Sequence, residues 1–320
     1  MKPKVFLAYP IPREVEDFIA EHCDYRKWDS EETISRSQLL KEISDVDGLL
    51  ISGGKIDQEL LDFAPKLKVV SNVSVGYNNF DLAAMKARKV MGTNTPNVLD
   101  ETVADLVFGL ILATARRISE LDRYVKDGKW QSGIDDHLFG VDVHHAKLGI
   151  IGMGRIGEKI VRRAKYGFNM DVLYYNRKRK LAAEKNLGVK YCTLQELLQE
   201  SDFVVLMIPL TAETTHLIGR EELALMKKTA IFINTSRGQT VDEEALIVAL
   251  EKGDIRGAGL DVFEQEPVDP SNPLLKMPNV VALPHIGSAT VKTRFDMAML
   301  AAQNLVKAVS GEIPPNLVEE

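Results

Sequence analysis

LGIIGMGRIGEKIVRRA, residues Leu148–Ala164, sets Gly152, Gly154 and Gly157 directly after an apolar run and at the head of an amphipathic stretch. Read as strand, turn and helix, the segment gives each glycine its own task. Gly152 permits the tight turn, Gly154 lets backbone approach a pyrophosphate seated on the positive helix end, and Gly157 lets helix and strand pack closely. Three glycines at that spacing are weak evidence alone, since a purely structural turn could use them too. The legible strand before them and helix after them raise the pattern to an expectation of dinucleotide binding.

The same strand-and-helix alternation continues downstream. "LGIIG", "DVLYYN", "DFVVLMI", "AIFINTS", "GAGLDV" and "NVVAL" read as six strands of one doubly wound parallel sheet. Upstream, "VFLAY", "GLLIS", "LKVVSNV" and "VMGTN" are further strand candidates. They are separated by amphipathic stretches at Arg13–His22, Ser37–Ile43 and Phe80–Arg88. Between the two regions lies "TPNVLDETVADLVFGLILATARR". Pro96 breaks the chain, Asp100 is a candidate N-cap, and Val103, Leu106, Val107, Leu110 and Ile111 recur at helical spacing. So apolar a helix is expected to be buried between two units, which puts a boundary here. A last helical stretch, Ala289 to Val309, follows the final strand. The expected organisation is a discontinuous substrate domain, residues 1–98 plus 287–320, with a dinucleotide-binding domain, residues 99–286, inserted into it.

Bulk composition limits the function. The chain has 320 residues, enough for two domains of about 150 residues, and 45% of them are hydrophobic, enough for a proper core. Forty basic against forty-six acidic residues leave a net charge of −6, which disfavours broad binding to nucleic acid or anionic membrane. Only Cys23 and Cys192 occur, far apart, which points to a reducing cytoplasm rather than a disulfide framework. "MKPKVFLAYP" lacks the apolar run of a signal peptide, and the apolar stretch Leu106–Ala115 is too short to span a bilayer. A soluble cytoplasmic protein is expected.

Against that acidic background, "YYNRKRK" at Tyr174–Lys180 carries four positive charges. It could be a solvated turn, a nucleic-acid patch or a grip on one phosphate. NAD-binding domains usually place an acidic residue about twenty residues beyond the glycines, for the ribose 2′-hydroxyl. Asn176 stands there instead, followed by Arg177, Lys178 and Arg179. A carboxylate would repel a 2′-phosphate, whereas guanidinium and ammonium donors attract one. NADP(H) is therefore the expected cofactor, with NAD(H) as the lesser option. No aromatic interleaving supports a nucleic-acid patch.

Three stretches at strand ends of the same sheet could carry chemistry: "INTSRGQTVDEEAL", "GLDVFEQEPV" and "ALPHIGSAT". Ligands in open α/β sheets bind beyond the carboxyl ends of the strands, so Arg237, Asp261, Glu266 and His285 should converge there. Singly, each has a bland reading: an arginine before glycine suits a turn, and a lone histidine after proline is usually structural. An arginine, carboxylates and a histidine at successive strand ends beside a dinucleotide are harder to dismiss. His137, His144 and His145 lack the accompanying Cys or carboxylate spacing of a metal site and are read as structural.

With "NVSVGYNNFD", "NTPNVLDETVADL" and "NVVALPHIGSAT" added to the motifs above, nearly the whole chain resembles the D-isomer-specific 2-hydroxyacid dehydrogenase family. The likeness is to its glyoxylate/hydroxypyruvate and 2-ketogluconate reductases. The resemblance implies an α/β fold, a Rossmann-type doubly wound domain inserted into a flavodoxin-like α/β substrate domain, and a homodimer. It implies that Arg237 holds the substrate carboxylate and carbonyl, that His285 is the acid/base and that Glu266 orients it. Asp261 would contact the nicotinamide amide, and the backbone of Val75 and Gly76 would take the substrate carboxylate. Thr102, Arg155, Ile156, Thr235 and Gly287 join the cofactor set, and Ser288 joins the substrate set. One departure is His145-Ala146 where the family more often has glycine, expected to be a surface variation.

The chemistry these roles require is coherent. Hydride addition to a 2-oxo acid leaves an alkoxide that must be protonated, a task for a positioned histidine. Glu266 would fix the tautomer of that ring, and Arg237 offers a planar fork to a carboxylate while polarising the carbonyl. The activity implied is reduction of glyoxylate, hydroxypyruvate or 2-ketogluconate to the D-2-hydroxy acid. Alternatives are a D-lactate or phosphoglycerate-type dehydrogenase, or a dinucleotide-sensing regulatory protein of the same fold. Formate dehydrogenases of the superfamily pair the histidine with glutamine, against Glu266 here.

Overall fold

A computed structural model of the chain describes residues 2–30, 32–133 and 136–318. The chain divides into two compact units, Met1–Leu99 with Ala289–Glu320, and Asp100–Ser288.

The first unit runs β1 (Lys4–Leu7), α1 (Arg13–His22), β2 (Asp24–Lys27), α2 (Arg36–Glu42), β3 (Gly48–Ile51), α3 (Gln58–Phe63), β4 (Val69–Asn72), α4 (Leu82–Ala87) and β5 (Met91–Thr93). All strand pairs are parallel, in the order β2-β1-β3-β4-β5. That is the flavodoxin-like winding. β3 and β4 are buried along their whole length, hence their unbroken apolar or small-residue sequences. β2, "DYRK", is an edge strand bonded only to β1 and exposed at three of four residues; without a second neighbour it needs no apolar pattern. Ser35, Asp57 and Asp81 each accept a backbone N–H at the start of α2, α3 and α4.

The second unit runs α5 (Asp100–Ala115), α6 (Ile118–Lys126), β6 (Lys147–Ile151), α7 (Arg155–Phe168), β7 (Asp171–Tyr175), α8 (Leu181–Leu187), β8 (Lys190–Tyr191), α9 (Leu194–Glu200), β9 (Phe203–Leu206), α10 (Arg220–Leu225), β10 (Ile231–Asn234), α11 (Glu243–Lys252), β11 (Gly257–Leu260) and β12 (Val280–Ala282). Its seven parallel strands are ordered β12-β11-β10-β9-β6-β7-β8. The winding reverses between β6 and β9, paired from Leu148↔Phe203 to Ile151↔Leu206, and at this switch a doubly wound sheet opens a ligand crevice. The seventh strand beyond the six expected is β8, two residues at the edge with no periodicity to betray it.

α5 begins at Asp100, so this residue lies within the first turn and is not the cap that the sequence suggested. Its apolar residues Ala104, Val107, Phe108, Leu110 and Ile111 join the core of the second unit. That apolar face packs on α7 and the β10–β12 side of its own sheet. Ion pairs from Arg163 to Glu101 and Asp105, and from Lys159 to Glu101, tie α5 to α7. Four exposed apolar side chains follow along the chain, Ile118 and Val125 on α6, then Trp130 and Phe139.

The chain finishes the first unit with α12 (Val291–Val309), capped by Thr290, which covers β3, β4 and β5 and packs on α1. Gly48 makes room for it: a Cβ there would lie 2.8 Å from Leu305 and 2.9 Å from Val309. Ser71 donates to the carbonyl of Ala301 at 2.7 Å and Asn304 to that of Asn94 at 3.1 Å. Leu305 is fully buried, a burial worth about 1.5–3 kcal/mol.

Candidate active site

Gly152 has φ 109°, and any Cβ would fall 2.1 Å from the carbonyl oxygen of Met207. No other residue fits that turn. A Cβ on Gly157 would come within 2.6 Å of the Gly152 oxygen, whereas one on Gly154 would meet nothing within 4 Å. The open side of the turn therefore lies at Gly154, at the head of α7, where a pyrophosphate could approach. Arg155 and Ile156 open that helix. The Arg155 Nε lies 3.5 Å from Asp100 Oδ2, while Asp100 Oδ1 is buried without a hydrogen bond. Burial pushes the Asp100 carboxyl above its ordinary value, against the charges of Arg155 and Lys159. Thr102 sits in the first turn of α5.

Asn176 spends both ends of its amide on the glycine turn: Oδ1 accepts from Met153 N–H at 2.7 Å and Nδ2 donates to the Met153 carbonyl at 3.3 Å. A carboxylate could not make the second bond. Of the basic run, Arg177, Lys178 and Arg179 are all exposed. Arg179 is nonetheless engaged, with Nε and Nη2 at 2.7 and 2.6 Å from the two carboxylate oxygens of Glu184.

The arginine of the third motif follows β10. Asn234 Nδ2 and Thr240 Oγ1 both donate to the Arg237 carbonyl, at 3.2 and 2.6 Å, and Asn234 Oδ1 accepts from the Ser236 N–H and hydroxyl. These two polar residues fix the backbone from which Arg237 projects, a task the sequence reading did not assign them. The clue was an asparagine two residues before a serine, a local side-chain-to-backbone turn. Burial draws the Arg237 guanidinium below its ordinary value, and the charge of Glu266 opposes that shift. Thr235, beside it, keeps a buried hydroxyl without a hydrogen-bond partner.

Glu266 and His285 meet directly, with Oε2 2.7 Å from Nδ1, while Oε1 accepts from Phe263 N–H at 3.1 Å. Burial would push the Glu266 carboxyl up. The hydrogen bond and charge of His285, the Phe263 N–H and the charge of Arg237 together hold it below the ordinary carboxylate value. The carboxylate is thus ionised, the ring Nδ1 carries the proton, and Nε2 is left for a ligand. His285 itself has φ 54°, a left-handed backbone seldom adopted outside glycine. Asp261, 1% exposed at the end of β11, takes Ile286 N–H at 2.7 Å on one oxygen and Gly287 N–H at 2.8 Å on the other. Both of its oxygens hold the turn that carries the histidine, beside the nicotinamide contact expected of it. Burial raises the Asp261 carboxyl against those two donors and the charge of His285. Gly287 is buried against Asp261 and Val103, and Ser288 follows it, partly exposed.

In the first unit, Val75 and Gly76 follow β4. Their carbonyls accept from Asn94 Nδ2 at 2.8 Å and Asn72 Nδ2 at 2.9 Å, so the loop is held by two asparagine amides. His144 and His145 face each other at 2.9 Å between Nδ1 atoms, and His145 is exposed with φ 60°, a conformation that suits glycine.

A doubly wound sheet with a glycine turn at its switch point, and an arginine and a glutamate–histidine pair at neighbouring strand ends, defines a dinucleotide-dependent oxidoreductase. The family model for the D-isomer specific 2-hydroxyacid dehydrogenase, NAD binding domain, matches residues 108–287. This chain belongs to the D-isomer-specific 2-hydroxyacid dehydrogenase family. It is 49% identical over 318 residues to glyoxylate/hydroxypyruvate reductase B of Yersinia pestis (strain Pestoides F), covering 99% of this chain and 98% of that one. Among solved structures, the NADPH-dependent glyoxylate/hydroxypyruvate reductase of Sinorhizobium meliloti, in complex with NADP and malonate, superposes with a TM-score of 0.87. The two are 33% identical, over 99% of this chain and 97% of that one. The TT0316 protein of Thermus thermophilus gives a TM-score of 0.90 at 40% identity, over 99% and 100% of the two chains.

Proposed function

We propose that this chain reduces glyoxylate and hydroxypyruvate, with 2-ketogluconate as a third candidate, to the corresponding D-2-hydroxy acids with NADPH in preference to NADH. The observation that carries the proposal is the 2.7 Å contact between Glu266 and His285, on a turn pinned by Asp261. A residue that holds one proton on Nδ1 and presents Nε2 is arranged to deliver a proton to a developing alkoxide. The Glu266 charge supports the imidazolium until delivery. Arg237, partly withdrawn from water, would grip the 2-oxo acid through its carboxylate and carbonyl. The backbone of Val75 and Gly76, and Ser288, are assigned a share in substrate binding.

The cofactor fits the residues present. Gly152, Gly154 and Gly157 with Arg155 and Ile156 would take the pyrophosphate, Thr102, Thr235, Asp261 and Gly287 the nicotinamide half, and the Asn176–Arg179 stretch the adenosine half. Bound NADPH supplies the hydride; position and field come from the protein. The Thr235 hydroxyl, buried without a partner, supports a ligand in this crevice. Self-association into a dimer is proposed through the exposed apolar residues of α6 and the segment after it. Among the described residues no helix is long and apolar enough to cross a membrane, and both cysteines are buried and free, in keeping with a reducing cytoplasm.

The test is a panel of 2-oxo acids with each cofactor, followed by loss of reduced-nicotinamide absorbance. Turnover of glyoxylate and hydroxypyruvate, faster with NADPH at low cofactor concentration, is expected. Tight NADPH binding without turnover of any 2-oxo acid would instead favour a sensor.

A further inference from the structure

We propose that Tyr174, Glu184 and Arg179 form a latch that positions Arg177 and Lys178 for the 2′-phosphate, and that Arg179 is not itself a phosphate ligand. The inference rests on the NADPH reading above. Arg179 presents its fork to Glu184 through two short bonds of 2.7 and 2.6 Å, and its guanidinium carbon stands 5.8 Å from the ring centroid of Tyr191. The same Glu184 oxygen that takes Arg179 Nε also accepts the Tyr174 hydroxyl at 2.8 Å. The Tyr174 oxygen in turn accepts the backbone N–H of Lys180 at 2.8 Å. Tyr174 is fully buried on β7, so this knot is anchored in the core rather than on the surface.

The loop between β7 and α8 is thus tied at both ends. Asn176 fastens its start to Met153, and the Tyr174–Glu184–Arg179 knot fastens its end. Lys180 is further drawn to Glu158 on α7, at 3.5 Å. Between the ties stand Arg177 and Lys178, exposed, with no hydrogen bond or ion pair among the described residues. To reach a phosphate, Arg179 would have to give up two charge-assisted bonds to a carboxylate, whereas its two neighbours give up none. Holding the loop in advance removes ordering that would otherwise oppose binding.

The two roles for Arg179 predict opposite signs for one substitution. If Arg179 were a ligand, Glu184→Gln would release it and tighten NADPH. As a latch, the same change loosens the loop and weakens NADPH relative to NADH. Dissociation constants for both cofactors, read from nicotinamide fluorescence, give the ratio; inhibition by 2′,5′-ADP against 5′-AMP isolates the phosphate. We expect the NADPH preference to fall by about tenfold or more in Arg177→Ala, and by about three- to tenfold in Glu184→Gln and Tyr174→Phe. Tyr174→Phe keeps the buried ring and serves should Glu184→Gln fold poorly. A Glu184→Gln enzyme with unchanged or stronger NADPH preference, or a neutral Tyr174→Phe, overturns the latch. An Arg177→Ala enzyme with the wild-type ratio would overturn the NADPH reading itself.

Discussion

Replacing Glu266 with glutamine tests the acid/base pair without emptying its place. Glutamine is nearly isosteric and can still accept the Nδ1 proton of His285, so geometry is largely retained and one negative charge is lost. The charge matters over the whole working range, because the carboxyl of Glu266 is held below the ordinary carboxylate value and stays ionised. Two unit charges about 4 Å apart interact by about 1 kcal/mol in bulk water and about 4 kcal/mol near a protein surface. The two side chains are 45% and 36% exposed, so the lower end applies. At 1.36 kcal/mol per factor of ten, withdrawing that support from the imidazolium should slow proton delivery about fivefold. The loss should hold wherever Glu266 is ionised, and should fade only as acid protonates that carboxyl, below the ordinary carboxylate range. Single-turnover reduction of glyoxylate across a pH series, with NADPH saturating, reads the rate ratio of the two enzymes. A variant as fast as the wild type at neutral pH, or one whose deficit grows on acidification, would refute the reasoning.

His285→Ala should lower the reduction rate by about 10²–10⁴-fold while NADPH still binds, as judged by fluorescence titration; near-full turnover would remove His285 from the mechanism. Arg237→Lys should raise KM and lower kcat together, because a point charge cannot replace a fork that grips both carboxylate and carbonyl; a change confined to KM would contradict the second contact. Asp100→Asn should raise the melting temperature at neutral pH. The folded state holds that carboxyl above its ordinary value, so ionisation costs stability at neutral pH and the cost fades as pH falls into the raised range. The melting advantage of the asparagine variant should therefore shrink on acidification, and one that grows would show that Arg155 outweighs burial.

The doubly wound sheet was legible because its central strands are buried on both faces, so "GLLI" and "FVVL" had to be apolar throughout. β2 and β8 were not, since an edge strand answers to one neighbour and tolerates "DYRK" or a two-residue pairing. At the site, the residue types named themselves through motif and spacing, but their partners did not. Nothing in "YYNRKRK" says that Asn176 turns back to Met153, or that a glutamate eight residues on from it captures Arg179. Those pairings depend on where β7 and α8 lie in space. Asp261 is similar: a carboxylate at a strand end reads as a ligand contact, and only the left-handed turn at His285 shows why two backbone N–H groups point at it.

The return of α12 to the first unit bears on how the protein is made. Synthesis delivers β1 to β5 first, yet the face of β3 and β4 on which Leu305 and Val309 rest stays open until residues 291–309 exist. The second unit, continuous in sequence, needs no such wait. The chain that leaves the ribosome first should therefore be the one that matures last, the reverse of the usual N-terminal-first order. Its open apolar face would meanwhile invite chaperones. Pulse proteolysis of ribosome-bound chains stalled beyond residue 288 should find the second unit protected and the first still cleavable. Early protection of the first unit would show that its sheet closes without α12.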